Sequence, residues 1–330
     1  ADWFYLTSWK QHDLLRLTKT EKEKRSWLIF CDELGNGSAL VRELRQRYEN
    51  VVSVFAGERL RRTDEYDYTI NPQAKEEYDA LLKELVVRDL NPSHVVHLWN
   101  LNPVESFEKV QESGLYSLIF LTQAIAEQSL KNGLQLVVVT DSVHEVTGSE
   151  SLRPEQATIL GACKVIPQEH TEITCRNVDV VSNEPGKLVE QLLHELTENS
   201  SDRVVAYRGR HRWVQTFEPL RVEKAQPRLK EGGVYLITGA FGLIGRVMAE
   251  HLARTFKAKL ALLGRSGLPP QDNWLTELEQ AGAEVLLLRA DVANEEQLRA
   301  AIADTRERFG RIDGVIYGAA AGAYTDKEIR

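Results

Sequence analysis

Three glycines spaced three residues apart, between an apolar run and an amphipathic run, constrain this chain more than any other feature. They are Gly239, Gly242 and Gly245 in the segment GGVYLITGAFGLIGRVMAEHLA. Glycines at this spacing let the backbone turn tightly, approach a pyrophosphate closely and pack the following helix on the sheet. The helix N-terminus then offers free N–H groups to the phosphates. The segment predicts a dinucleotide-binding turn, and the alternative is a glycine-rich turn without a ligand.

The sequence after this turn repeats the strand and helix pattern that such a site needs. Apolar runs predict strands at 234–238, 260–264, 284–289 and 314–317, and amphipathic runs predict helices at 243–256, 273–281 and 295–309. Ile244, Val247, Met248, Leu252 and Phe256 have the spacing of an apolar helical stripe. Asn294 and Gly310 suit the start and the end of the last helix.

The end of the strand at 260–264 indicates which dinucleotide is bound. An acidic residue about 20 positions beyond the glycines holds the ribose hydroxyls of NAD, whereas an arginine there favours the 2′-phosphate of NADP. Here Arg265 and Ser266 follow the strand, and the first carboxylate afterwards is Asp272. The sequence therefore predicts NADPH rather than NADH. The alternative is that Arg265 is a solvated surface charge.

The first two-thirds of the chain has the same alternation, which is typical of a mainly parallel sheet. We predict strands at 27–31, 51–55, 94–99, 134–140 and 173–180, helices at 38–48, 73–85 and 115–128, and a hairpin pair at 204–208 and 211–216. The stretch EPLRVEKAQPRLKEGG has two prolines, a charge cluster and a Gly-Gly pair, which predict a linker. The expected organisation is a first domain at 1–220, a linker at 221–233 and a second domain at 234–330.

The turn after the first predicted strand of the first domain differs from the glycine turn. It reads CDELGNG, with Asp32 and Glu33 at the entrance of the helix. Two carboxylates there would repel a phosphate. The first domain is therefore predicted to be a nucleotide-type fold without a nucleotide site.

Composition excludes several classes of protein. The formal net charge of −8 makes electrostatic binding to nucleic acid or to an anionic membrane unfavourable. No apolar run reaches the ~18 residues of a membrane span, and the N-terminus lacks the order of a signal peptide. Three cysteines without paired spacing argue against a disulfide framework and suggest a cytoplasmic protein. The chain has no initiator methionine, so it is either processed or a piece of a longer protein.

The motifs together resemble the ketoreductase domain of modular polyketide synthases, in the short-chain dehydrogenase/reductase superfamily. In the second domain these motifs are TGAFGLIG, LLGRSG, LRADV and RFGRIDGVIYGAA. In the first domain they are FYLTSWK, PEQATILGACKVIPQEHTEITCRNVDV and VVAYRGRHRWV. The resemblance covers nearly the whole chain. It implies an α/β fold of two Rossmann-like subdomains with mainly parallel sheets, the first degenerate, truncated and cofactor-free, the second an incomplete NADP-binding Rossmann fold.

The resemblance also implies site residues by position. The three glycines would line the pyrophosphate, with Thr238, Phe241, Leu243 and Ile244 of the same turn as further cofactor-binding residues. Arg265 and Ser266 would hold the 2′-phosphate, and Asp291 with Val292 would contact the adenine. Gly318, Ala319 and Ala320 would pass along the nicotinamide, although this segment departs from the His-Ala-Ala-Gly pattern of the family.

The activity implied is NADPH-dependent reduction of a β-ketoacyl group, held on the phosphopantetheine arm of an acyl carrier protein, to a β-hydroxyl. The family's catalytic tyrosine, serine and lysine are expected beyond Arg330, and Tyr324 and Lys327 come too early to be that pair. The chain alone is thus expected to bind cofactor without turnover. Expected partners are the acyl carrier protein and neighbouring synthase domains, without nucleic acid or membrane. The alternative is a catalytically inactive scaffold domain supporting those neighbours.

Other polar residues have less specific explanations. His94 and His97 point to opposite faces of a strand and are poorly placed to share a metal ion. Cys163 is expected to be a small buried hydrophobe. In RGRHRW, Arg208, Arg210 and Arg212 either contact an acidic partner such as a carrier protein or form a polar hairpin edge.

Overall fold

The computed structural model describes residues 4–12, 25–47, 50–102, 106–128, 133–181, 185–197, 200–221, 228–266 and 273–319. The chain divides after Arg221 into two compact units, each with its own sheet. Of the predicted linker, residues 222–227 lie outside the described residues, as do Ala320, Tyr324 and Lys327.

The first unit contains ten strands and six α-helices among its described residues. The strands are β1 (Tyr5–Gln11), β2 (Ser26–Cys31), β3 (Asn50–Ala56), β4 (Arg61–Arg62), β5 (Asp67–Ile70), β6 (His94–His97), β7 (Leu134–Asp141), β8 (Ile173–Val180), β9 (Val204–Arg208) and β10 (His211–Pro219). The helices are α1 (Asn36–Arg45), α2 (Lys75–Val87), α3 (Phe107–Gln111), α4 (Ser117–Glu127), α5 (Ile159–Glu169) and α6 (Pro185–Thr197). A π-helical turn, Glu112–Tyr116, joins α3 to α4.

Seven of these strands form a parallel sheet in the order β5-β3-β2-β6-β7-β8-β9, with β10 and β1 antiparallel at one edge and β4 at the other. When these seven strands are numbered by their order in the chain, their order across the sheet is 3-2-1-4-5-6-7. This order contains the 3-2-1-4-5-6 order of a Rossmann sheet. A parallel crossover usually needs a helix, yet the connection from β3 to β5 contains only β4. This connection therefore lacks a crossover helix, although the strand order of the parallel sheet is that of a Rossmann fold.

Helices cover both faces of this sheet. On one face, Leu28 and Phe30 of β2 belong to a core that includes residues of α2, α4 and α5. On the other, Ile29 belongs to a core that includes residues of α1 and α6. Burial on both faces explains why its central strands are near-continuous apolar runs.

The second unit has four parallel strands and three helices among its described residues. They are β11 (Val234–Thr238), α7 (Leu243–Phe256), β12 (Lys259–Gly264), α8 (Trp274–Gln280), β13 (Glu284–Arg289), α9 (Glu295–Phe309) and β14 (Gly314–Tyr317). The sheet order is β13-β12-β11-β14, or 3-2-1-4 along the chain. The predicted α/β class with mainly parallel sheets is confirmed in both units.

The predicted apolar stripe of α7 is correct only in part. Leu252 is fully buried, but Ile244 is 66% exposed and Val247 is 57% exposed. The sheet-facing positions are instead taken by small residues, with Ala249 and Ala253 fully buried. Small side chains let the helix lie close to the sheet, which the hydrophobic spacing alone does not indicate.

Candidate functional site

Gly239 begins the candidate site directly after β11. Its φ is +62°, a conformation that favours glycine. A Cβ atom at this position would lie 2.4 Å from the carbonyl oxygen of Gly318, which follows β14. Both backbone conformation and space therefore require glycine here, as the sequence predicts.

Gly242 and Gly245 place α7 against this turn. Gly242 is the N-cap residue of α7 and has no side chain to cap the first-turn N–H groups. A Cβ atom on Gly245 would lie 2.5 Å from the carbonyl oxygen of Gly239 and 2.7 Å from the Cα atom of Ala240. The helix N-terminus thus approaches the turn closely with its N–H groups uncapped by the N-cap residue, the arrangement that suits an anion.

Thr238 and the end of β14 form the neighbouring wall of the turn. Thr238 is 3% exposed, and its Oγ1 and its carbonyl oxygen both accept from the N–H of Gly318, at 3.2 and 3.1 Å. The structure therefore brings Gly318 and Ala319 beside the first glycine, where the sequence places them. Ala320 lies outside the described residues.

Phe241 is a bulky residue in the glycine turn, and its ring packs sideways. The ring fills the space beside Gly264, where a Cβ atom would lie 2.4 Å from Phe241 Cδ2. It also meets the Trp274 indole edge to face, with centroids 6.5 Å apart. The Arg246 guanidinium lies 4.9 Å over the Trp274 ring. Side-chain binding of the cofactor by Phe241 stays a prediction, and what the structure shows is a packing role.

The side chains of Leu243 and Ile244, both predicted to bind the cofactor, are 82% and 66% exposed. Any contact from the first turn of α7 would be made most directly by its backbone N–H groups.

Arg265 and Ser266 are exposed at the end of β12, on the same edge of the sheet as the glycine turn. Arg289, the last residue of β13, donates from Nε to the carbonyl oxygen of Arg265 at 3.1 Å. Arg289 is not among the predicted site residues, although its position at the end of the next strand could have indicated it. Two guanidinium groups therefore stand at this edge.

Asp291 and Val292 follow β13 and have local structural partners. The Asp291 carboxylate accepts from the N–H of Ala293 at 3.0 Å, and the Asp291 N–H donates to Gln297 Oε1 at 2.8 Å. Val292 packs, partly buried, against the core beneath α9. This loop is thus held in place at the same edge, and contact with an adenine ring remains a prediction.

The corresponding turn of the first unit is closed by a carboxylate of the chain itself. Asp32 is 2% exposed, and its Oδ1 accepts from the N–H of Gly37 at 2.6 Å. Its Oδ2 accepts from Asn36 Nδ2 at 2.7 Å and from the Asn36 N–H at 3.4 Å. Glu33 is exposed. The predicted incompatibility with phosphate thus has a specific origin: Asp32 occupies the N-terminus of α1.

The arginines of the β9–β10 hairpin do not form an accessible basic patch. Arg208 is 7% exposed and pairs with Asp179 at 2.6 Å and Glu150 at 2.9 Å. Arg212 is 2% exposed and pairs with Glu195 at 2.7 Å. The hypothesis that both contact an acidic partner is wrong, because their charges are buried against carboxylates. Only Arg210 of the three is exposed.

The histidines considered as metal ligands lie inside the first unit. His97 is fully buried, and burial lowers its pKa to about 3. Its Nε2 lies 2.9 Å from Ser117 Oγ. Burial lowers the pKa of His94 to about 4. In the described part of the chain, no group of three or more His, Cys, Asp or Glu side chains is placed to hold a metal ion.

Cys163 is buried, as predicted, and the other two cysteines are buried and free as well. Among the helices that the structure describes, none has the length and apolar character needed to cross a bilayer.

Two family models match the chain, one within each unit. One, described as the beta-ketoacyl synthase-like N-terminal region, matches residues 28–199, and the KR domain model matches residues 233–330. A crystal structure of an N-terminal ketoreductase from the macrolactin assembly line is 25% identical, with a TM-score of 0.73, over 98% of this chain and 66% of that one.

A much longer protein also matches nearly the whole chain. Polyketide synthase PksM of Bacillus subtilis (strain 168) is 25% identical over 97% of this chain, which spans 7% of that protein. A multidomain structure of a keto acid-selecting NRPS module with adenylation, ketoreductase and pseudo Asub parts is also 25% identical, with a TM-score of 0.71, over 96% of this chain and 28% of that one.

The fold and the KR domain match define a Rossmann-like chain of the ketoreductase kind, in which a unit of related topology precedes the unit that matches the KR model. The chain belongs to the ketoreductase domains of modular polyketide synthases.

Proposed function

We propose that this chain forms part of a domain that uses NADPH to reduce the β-keto group of a carrier-bound polyketide intermediate to a β-hydroxyl. The observation that carries the proposal is the glycine turn after β11, set against the uncapped N-terminus of α7 with Arg265 at the same edge of the sheet. NADPH would supply the hydride.

The chain's own residues would bind and orient the cofactor. Gly239, Gly242 and Gly245 leave backbone space for a pyrophosphate, and the N–H groups of α7 would bind its negative charge. Arg265 and Ser266 would hold the 2′-phosphate, because a guanidinium pairs well with phosphate oxygens. Gly318 and Ala319 would border the nicotinamide side.

The expected partners are an acyl carrier protein, bearing the substrate on its phosphopantetheine arm, and neighbouring synthase domains. The small share of PksM that this chain covers supports a setting within a larger protein. Three free cysteines support a reducing, cytoplasmic location.

A titration of the intact chain with NADPH and with NADH tests the cofactor proposal. We expect tighter binding of NADPH, and we expect Arg265→Ala to weaken NADPH binding by roughly tenfold or more, since a hydrogen bond to a charged group contributes about 1.5–3 kcal/mol. The affinity for NADH should change little. Equal affinities for the two cofactors, or an unchanged NADPH affinity in Arg265→Ala, would contradict the proposal.

Turnover is tested separately in a synthase module that contains this chain. NADPH oxidation on a β-ketoacyl thioester is the expected result. Cofactor binding without turnover, or no binding of either cofactor, would support the inactive scaffold instead.

A further inference from the structure

The side chain of Phe241 connects the glycine turn to the end of β12. Its ring occupies the space beside Gly264, where a Cβ atom would lie 2.6 Å from Cε2 of the ring. One residue before Phe241, the N–H of Ala240 donates to the carbonyl oxygen of Leu263 at 3.2 Å. Gly264 immediately precedes Arg265. Two consecutive residues of the turn therefore fix the place where the chain that carries Arg265 leaves the sheet.

Trp274, the first residue of α8, packs against the same ring. The two rings meet edge to face with centroids 6.5 Å apart, and Trp274 is 4% exposed. Trp274 Nε1 donates to Glu250 Oε1 at 3.1 Å, which ties the indole to α7. The Arg246 guanidinium lies 4.9 Å from the centroid of the Trp274 ring, and Arg246 Nε donates to the carbonyl oxygen of Phe241 at 3.3 Å. Phe241 is thus held both at its ring and at its backbone.

Arg265 has no such support for its own side chain. Among the residues that the structure describes, none pairs with its guanidinium, which is exposed. Its carbonyl oxygen accepts from Arg289 Nε at 3.1 Å, which is a contact to the backbone. The position of the Arg265 charge therefore depends on where the backbone leaves β12. Packing must hold the contact groups of a binding site to within about 0.5 Å for the site to bind well.

We propose that Phe241, supported by Trp274 and Arg246, is a positioning residue for the choice of cofactor. Its ring sets the position of Arg265 relative to the glycine turn, so that the pyrophosphate and the 2′-phosphate of one NADPH molecule are bound together. This inference rests on the proposed function, because only a dinucleotide with a 2′-phosphate needs both places at once. Phe241 acts here through Arg265 and is not required to touch the cofactor.

Loss of the Phe241 ring should affect the 2′-phosphate more than the rest of the dinucleotide. The glycine turn keeps its contacts on the β14 side, where the N–H of Gly318 donates to Thr238. It also keeps the hydrogen bond from the N–H of Gly242 to the carbonyl oxygen of Gly239, at 3.0 Å. Only the packing on Gly264, and with it the support of Arg265, is removed.

The test compares the dissociation constants of NADPH and NADH for the intact chain and its variants. In Phe241→Ala, we expect the preference for NADPH over NADH to fall about three- to fivefold, part of the roughly tenfold or greater loss expected when the Arg265 guanidinium itself is removed. The affinity for NADH should change little. Phe256→Ala is the matched control, since Phe256 is a half-buried aromatic residue of the same core at the far end of α7. It should leave the preference unchanged.

Two further variants show whether Phe241 acts through Arg265. In the Arg265→Ala background, Phe241→Ala should have no further effect on the preference, because the group that Phe241 positions is absent. Gly264→Ala places a Cβ atom where the ring lies and should lower the preference in the same direction as Phe241→Ala. It decides the matter if Phe241→Ala does not fold.

Three results would overturn the inference while leaving the proposed function intact. They are an unchanged preference in a folded Phe241→Ala or Gly264→Ala chain, an equal loss of affinity for both cofactors, and an undiminished effect of Phe241→Ala in the Arg265→Ala background. If Arg265→Ala by itself leaves the preference unchanged, the proposed cofactor choice fails, and this inference fails with it.

Discussion

Arg265 and Arg289 leave neighbouring strands at the same edge of the second unit's sheet. Gly264 pairs with Arg289 in the β12–β13 register, and the side chain of Arg289 donates to the Arg265 carbonyl oxygen. Both arginines are exposed, in contrast to Arg208 and Arg212, which carboxylates enclose. Residue type alone does not distinguish these two kinds of arginine. The difference decides which of them a 2′-phosphate could reach.

From this arrangement we expect Arg289→Ala to weaken NADPH binding by about three- to fivefold, corresponding to the upper part of the ~0.2–1 kcal/mol range of exposed ion pairs. NADH binding should be unchanged, because NADH has no 2′-phosphate. The ratio of the two dissociation constants is the measurement. Arg308→Ala is the matched control, since Arg308 is exposed at the far end of α9 beside Glu284, which begins β13. A ratio that stays constant in Arg289→Ala would exclude a role in cofactor choice.

Two helices that follow the first parallel strand of their sheets show how one element serves different purposes. Both α1 and α7 begin after a turn with a glycine N-cap. At α1 the buried Asp32 carboxylate accepts from first-turn N–H groups, whereas the N-cap of α7 offers no acceptor. The N-terminus of α1 is thus capped by a carboxylate of the chain, whereas the N-terminus of α7 is a candidate anion site.

The hydrogen bonds from Asn36 and Gly37 to the Asp32 carboxylate predict an effect on the stability of the first unit. Asp32→Ala leaves the N–H groups of Asn36 and Gly37 without their acceptor and should lower the free energy of unfolding of the first unit by about 1–2 kcal/mol. Glu33→Ala, at the exposed neighbouring position, should change it by less than about 0.5 kcal/mol. Urea unfolding followed by tryptophan fluorescence measures both. Equal effects of the two substitutions would show that Asp32 has no special role.

At the scale of the whole molecule, the first unit buries charged and titratable groups beside its two apolar cores, and the second has small residues close to a glycine turn. Buried in the first unit are His97 and the arginine–carboxylate pairs of Arg208 and Arg212. Burial by itself would raise the pKa of Glu150, but backbone N–H groups and Arg208 lower it to about 2. The Glu150 carboxylate therefore remains charged in mildly acidic solution.

The pH dependence of unfolding follows from His97. Its pKa is about 3 in the folded chain and about 6.5 when unfolded, so between these values only the unfolded state takes up the proton. The contribution of the neutral His97 ring to the free energy of unfolding is fully present well above pH 6.5. Below that pH it decreases, by roughly 1.4 kcal/mol per pH unit. Urea unfolding at pH 6, 5 and 4, where the unfolded ring is largely protonated, should show close to this slope, and His97→Gln should reduce it by that amount. Identical slopes would contradict the assignment.

Local signals made the second unit predictable. The bounds of β11, α7, β13, α9 and β14 agree with those expected from the sequence. For α9, Asn294 accepts from the N–H of Gln297 at 3.1 Å, and Gly310 ends the helix with φ +81°. These are contacts within one turn, so neighbouring residues specify them.

Elements that depend on distant partners were not predicted. β1 pairs with β10, and Tyr5 lies opposite Pro219. β5 is a four-residue strand that joins β3 without a crossover helix. The stretch predicted as a strand to Trp99 ends at His97, and a 3-10 turn follows at Trp99–Leu101. Such pairing and termination depend on contacts far along the chain.

The sequence by itself determined the glycine turn, the strand and helix alternation around it and the arginine at the end of the next strand. Each depends on spacing over a few residues, where backbone geometry leaves few choices. Only the tertiary structure decided that Arg208 and Arg212 are buried and that the Asp32 carboxylate caps α1. Burial and charge pairing join residues from separate elements, and local spacing carries no information about such partners.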